Sequence, residues 1–114
     1  MIRYVAALRR RPGSSAEEFL EAWLGEHQSL ARALPLVRSV VFQPAVDVPG
    51  MDQVYDGVGF LDFDSVDDLR SSLSSHQALA LRAHTATFAD ASSAVRAVVD
   101  PDAGATGSTP GSRS

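Results

Sequence analysis

Apolar and polar positions along the chain follow two different periods, and the switch between them outlines the elements. Ile2 to Leu8 (IRYVAAL) is a short apolar run rich in Ile, Tyr and Val, which predicts a strand. Arg11-Pro12-Gly13-Ser14 breaks it in a turn. From Phe19 onward the spacing becomes helical: Phe19, Leu20, Trp23, Leu24, Leu30, Ala31 and Leu34 recur in steps of three and four. They define one face of a helix of about twenty residues. Ser14 or Ser15 is positioned to cap it, and Glu17 and Glu18 lie in the first turn, where the helix dipole favours acids. Pro35 ends the helix. Leu36 to Gln43 (LVRSVVFQ) predicts a second strand closed by Pro44, and Ala45 to Asp52, with Pro49-Gly50, a loop.

Gln53 to Phe63 (QVYDGVGFLDF) predicts a third strand. Its Asp56-Gly57 could instead form a tight type I′ hairpin turn, but the arms would be short, which favours a continuous strand relaxed by glycine. Ser65 caps the next helix, with Asp67 and Asp68 in its first turn and Val66, Leu69 and Leu73 as its apolar stripe. Ser74-Ser75 breaks it before a second helical stretch running to Phe88. Ser93 to Asp100 predicts the last strand, closed by Pro101.

The order is β-α-β-β-α-β, an α+β, ferredoxin-like sandwich with one antiparallel sheet and its helices on a single face. The other face should then be polar, yet the third strand alternates Val54, Val58 and Phe60 with Tyr55, Leu61 and Phe63. The last strand likewise sets Val95, Ala97 and Val99 against Ala94 and Val98. A sheet that is apolar on both faces needs a second cover. With no further element in the chain, the simplest cover is another copy: a homodimer whose sheets meet face to face as a dimeric α+β barrel.

Composition narrows the chemistry. The chain has 114 residues, 45% of them apolar and 21% charged, with mean hydropathy near zero, as in one ordinary globular domain. Residues 1–100 carry the fold. Pro101 to Ser114 (PDAGATGSTPGSRS) lacks large apolar residues and is expected to be a disordered tail. No apolar run reaches the ~18 residues of a membrane span, and no signal-peptide pattern precedes Ile2, so no membrane partner and a cytoplasmic location are expected. Net charge is −4, and all ten basic residues are arginine, which excludes a lysine Schiff base and a Walker lysine. The one basic cluster, Arg9-Arg10-Arg11, reads as a solvated turn, so no nucleic-acid partner is expected. The absence of cysteine excludes disulfides, thiolate metal sites and cysteine nucleophiles.

What remains is His, Asp, Glu, Ser and Tyr chemistry, or plain binding. His27 lies four residues after Trp23 and three, four and seven before Leu30, Ala31 and Leu34, on the apolar stripe of the first helix. A histidine there is either tied to a backbone carbonyl or suited to move a proton. Asp56 is an acid in an apolar strand: either a carboxylate working with a histidine, or an edge, bulge or turn acid. Gly57 and Gly59, on the opposite face, could open a cavity or admit a helix. Tyr4 and Tyr55 could donate to a carbonyl or simply pack. His84, between Leu81 and Phe88, points inward, and His76 is solvated. Three histidines without an H-x-x-x-H or H-E-x-x-H pair make a weak case for a metal, and none is expected. Neither a G-x-S-x-G elbow nor a G-x-G-x-x-G loop is present.

Taken together, Arg11-Pro12-Gly13, the run Phe19, Trp23 and His27, Leu34-Pro35, Tyr55-Asp56-Gly57, Phe63-Asp64-Ser65 and Phe88-Ala89-Asp90 resemble the EthD family. F-x-x-x-W-x-x-x-H followed by L-P is the most specific part. The resemblance, over about residues 2 to 100, implies a dimeric α+β barrel. It also implies that His27, and less directly Asp56, carries chemistry. One departure is His84, where the family often has an acid four residues before the phenylalanine. The expected activity is a cofactor-independent enzyme acting on a small apolar oxygenated molecule, polyketide-like or aromatic, by dehydration, cyclisation or isomerisation. A cofactor-free monooxygenase and a non-catalytic accessory protein, as in ether degradation, are the alternatives. Substrate would sit against Tyr4, Trp23, Tyr55, Phe60, Phe63, His84 and Phe88.

Overall fold

The computed structural model describes residues 1–104. Four strands, β1 (Ile2–Leu8), β2 (Ser39–Pro44), β3 (Gly57–Phe63) and β4 (Val95–Val99), pair antiparallel in the order β2-β3-β1-β4. Between β1 and β2 run α1 (Ala16–Ala22), a π-helical turn (Trp23–His27) and α2 (Gln28–Arg32). Between β3 and β4 run α3 (Val66–Leu73) and α4 (His76–Phe88). This is the ferredoxin-like α+β fold that the element order predicts.

Local chemistry sets the helix boundaries. Ser15 caps α1 in a reciprocal box: its Oγ accepts the Glu18 N–H at 3.1 Å, and the Glu18 carboxylate accepts the Ser15 N–H at 2.8 Å. Ser65 Oγ caps α3 and Ser75 Oγ caps α4 in the same position. The break at Ser74-Ser75 therefore falls where the sequence puts it. The single helix expected after Ser15 is interrupted at Gly25, whose φ of −92° and ψ of −105° are not helical. The extra residue widens the turn from Trp23 to His27, and such π turns often accompany functional sites. Leu24, expected on the apolar face, is instead exposed.

Two strands start later than their apolar runs. Chain reversal after α2 uses Leu36 in the left-handed region (φ 67°), and β2 begins only at Ser39. β3 begins at Gly57, not Gln53, because Asp56 is held out of the ladder. The Asp56 N–H donates to the Leu8 carbonyl at 2.8 Å, its carboxylate accepts the Arg10 N–H at 2.8 Å, and its carbonyl accepts the Ala45 N–H at 3.0 Å. Asp56-Gly57 is thus neither a hairpin turn nor mid-strand. β4 is shorter than expected because Ala91–Ser93 forms a 3-10 turn. Of the expected tail, Pro101–Gly104 makes turns, in which Asp100 Oδ1 accepts the Asp102 N–H at 2.9 Å. The expectation for positions 105–114 lies outside the described residues.

The inner face carries two adjacent rows that cross the whole sheet. One is Val40, Leu61, Tyr4 and Val98; the other is Phe42, Gly59, Ala6 and Arg96. The first row is filled where it meets the helices: Leu61 and the fully buried Phe63 pack with Ala31, Leu34, Leu69 and Ala78. A second core cluster, Leu8, Phe19, Trp23, Phe88 and Ala89, closes the far end. Gly57 belongs to that end, where Trp23 lies so close that a Cβ would run into its ring. Among the described residues no helix covers the outer face. Val41, Val95 and Val99 are exposed there, and the partly covered Phe60 lies beneath the Arg3 guanidinium at 5.5 Å. Arg3 pairs bidentately with Asp62, Nε to Oδ1 at 2.8 Å and Nη2 to Oδ2 at 3.1 Å.

Candidate active site

Between the two core clusters the Phe42–Gly59–Ala6–Arg96 row is not filled. Gly59 and Ala6 have no side chain long enough to reach the helices, and a cavity of about 120 Å³ lies over them. That is close to the volume that accepts a single aromatic ring, about 150 Å³. Its walls are Trp23, Phe42, Leu61 and Leu81, and its polar groups are Tyr4, His27, Arg82, Thr85 and Arg96.

His27 sits on the π turn and is 5% exposed. The Phe88 ring meets it edge-on at 4.9 Å, and Phe42, on which Trp23 stacks at 4.7 Å, lies 6.1 Å from it on the sheet side. His27 Nδ1 is 3.0 Å from His84 Nδ1, so one ring donates and the other accepts. His84 Nε2 in turn lies 3.7 Å from the Glu26 carboxylate, which favours a proton on that nitrogen. The His84 Nδ1 lone pair then accepts from His27 Nδ1–H, leaving His27 Nε2 as a bare lone pair. Among the described residues, the only buried side-chain polar atom without a partner is Ser72 Oγ. His27 lines the cavity, and among the described residues its Nε2 has no protein partner. Burial, with the electrostatic effect of neighbouring His84 second, lowers the His27 pKa from 6.5 to about 4. At neutral pH the ring is an uncharged acceptor in an apolar room.

The structure brings Tyr4, Trp23 and His27 together on this cavity, with His84 and Phe88 holding His27 from behind. It does not bring Asp56 there. Asp56 and Tyr55 line a separate shallow groove with Arg10 and Gln53, where the Asp56 carboxylate fixes the chain leaving β1. Phe60 is on the outer face, and Phe63 is packed solid in the core. Among the described residues no three His, Asp or Glu side chains converge as metal ligands do. No helix among them is long and apolar enough to cross a membrane.

The sequence profile of the EthD domain matches residues 11–92. The chain belongs to the EthD family. Its fold is also that of an EthD family protein from Bacillus halodurans: TM-score 0.74 at 18% identity, covering 88% of this chain and 98% of the other. A dimeric protein of unknown function and ferredoxin-like fold from Bacteroides fragilis superposes with TM-score 0.67 at 16% identity over 87% and 94% of the two chains. SnoaB, a cofactor-independent oxygenase from Streptomyces nogalater, does so with TM-score 0.62 at 10% identity over 89% and 92%. No curated protein is significantly similar in sequence.

In this EthD protein, sequence reasoning passed over Arg82, Thr85 and Arg96 as cavity residues. Thr85 Oγ1 donates to the Leu81 carbonyl at 3.0 Å, within its own helix. A signal for Arg96 was present: a lone cation inside SAVRAVVD, on the face that alternation assigns to Ala94 and Val98. Arg82 lies three residues before Thr85 and four after Ala78, so it shares their side of α4.

Proposed function

We propose that this EthD protein is a cofactor-independent enzyme that moves a proton on a small, apolar, oxygenated molecule, polyketide-like or aromatic. The observation that carries this reading is His27: neutral, hydrogen-bonded to His84 through Nδ1, and on the wall of a ring-sized cavity. In a dehydration, Nε2 takes the proton from the carbon next to a carbonyl. The C–H electron pair becomes an enolate, which expels a β-hydroxyl as the imidazolium returns its proton to the leaving oxygen. Tyr4, whose phenol has no protein partner among the described residues, is the donor available to the enolate oxygen. Cyclisation and isomerisation use the same first step. General acid–base help of this kind contributes ~10²–10⁴-fold. His27→Ala tests it: turnover within about twofold of wild type, with the fold intact, would end the catalytic role.

A second reading draws on the likeness to SnoaB. The deprotonated substrate would itself reduce oxygen, and oxygen uptake coupled to turnover separates the two; equal product under argon eliminates this one. Saturable binding without conversion after long incubation would instead mark an accessory protein.

We further propose a homodimer joined through the outer sheet faces as an α+β barrel. Support comes from the open apolar face around Val41, Phe60 and Val95, and from the mutual neutralisation of Arg3 and Asp62, which lets that face be covered. A relative of the same fold is dimeric. A monomer at micromolar concentration by light scattering would refute it.

A further inference from the structure

We propose that Arg82 and Arg96 form an oxyanion seat at the β4 end of the cavity, and that the molecule taken up is a small ring or chain acid whose carboxylate they hold. This rests on the catalytic reading for what happens next, but binding can be tested without it.

Sheet register supplies the geometry. Phe42, Gly59, Ala6 and Arg96 lie in one row on the inner face, one residue from each strand. Phe42 and Arg96 are therefore three interstrand spacings apart, roughly 14 Å. Trp23 stacks on Phe42 at one end, beside His27; Arg96 stands at the other, on the sheet's edge strand. Between them Gly59 and Ala6 leave the floor low. His27 and Arg96 both line the cavity over that floor.

Neither arginine is committed elsewhere. The charge pairs among the described residues are Arg3–Asp62, Arg38–Asp64 and His84–Glu26. Arg82 makes one long bond, Nη1 to the Leu73 carbonyl at 3.3 Å, and Arg96 makes none among the described residues. Among the described residues no carboxylate lines the cavity. Arg82 and Arg96, both exposed at the mouth, and Tyr4 and the uncharged His27 therefore line an apolar chamber with no negative group among the described residues. Arginine's planar donors match a carboxylate in two-point contact, which holds for exposed side chains as well.

The experiment uses Trp23, the only tryptophan of the chain and a wall of the cavity, as the reporter. The full-length protein is titrated near neutral pH with benzoate, phenylacetate and phenylpropanoate, and with the amide of each, which keeps the shape and removes the charge. Expected is saturable quenching, with at least one acid binding about tenfold or more tighter than its amide. Arg96→Gln and Arg82→Gln should each weaken that acid several-fold, leave the amide unchanged, and remove the preference when combined. Arg96→Lys should retain part of it. His27→Ala should keep the acid preference, since the seat is at the other end. Equal binding of acid and amide, no binding of any of the three acids, or a preference that survives the double variant would overturn the proposal. Arginine-dependent acid binding by a protein that converts nothing would leave the seat standing and remove only the catalytic reading.

Discussion

The filled and hollow parts of the inner face are built from neighbouring rows of one sheet, yet they do opposite work. Around Leu61 and Phe63 every helix-facing position carries a side chain that meets another, and the packing holds the domain together. Around Gly59 and Ala6 the same backbone carries almost nothing, and the gap is held open by Trp23, Phe42 and α4 around it. The difference is side-chain volume at two positions, not topology. A sheet-and-helix sandwich can keep a chamber inside a small core if the large residues are concentrated on both sides of it.

The sharpest way to break this comparison is to exchange the two roles. Phe63→Ala empties a site that is fully buried, and should cost about 3–5 kcal/mol in urea unfolding. Ala6→Leu puts volume where space exists, and should change stability by less than about 1.5 kcal/mol while abolishing ligand binding. If Ala6→Leu destabilises as much as Phe63→Ala, the hollow row is not hollow.

Acid comes next in size. The folded state holds His27 near a pKa of 4, below the unfolded value of 6.5. Between those values the unfolded chain binds the proton more readily than the folded one. Stability is therefore lost as pH falls from 6.5 toward 4, by on the order of 3 kcal/mol from this group. Urea midpoints of wild type and His27→Gln should converge over that range.

Gly57→Ala is expected to cost about 1–3 kcal/mol, because the new methyl meets the Trp23 ring, itself wedged between Phe19 and Phe42. Smallest is Asp56→Asn. It weakens one acceptor to the Arg10 N–H, costing about 1 kcal/mol. Once a substrate is known, its turnover should stay within about twofold of wild type, in contrast to His27→Ala.

Much of this was legible in the chain. The two periods, the serine caps and the proline stops give the β-α-β-β-α-β order, and helical spacing puts His27 inside. Asp56 was misread because an acid in an apolar run looks the same whether it belongs to the strand or to the chain just before it. Only its bonds to Leu8 and Arg10, residues nearly fifty positions away, decide. The His27–His84 contact spans 57 residues and joins two elements, so no local pattern encodes it. Period-2 alternation could have assigned Arg96 to the inner face. Its meaning depends on the empty row it ends, which is a property of sheet register.

Everything chemical in the account depends on His27 being an uncharged ring held by His84 and facing the cavity. Nitrogen-15 NMR of the histidine rings, followed from neutral pH into acid, reads that state directly. The account predicts that His27 stays neutral well below pH 6, titrating only near 4, with its proton on Nδ1 and a bare Nε2 that shifts when a ligand binds. Titration near the free-imidazole value of 6.5, with a ring insensitive to ligand, would contradict it.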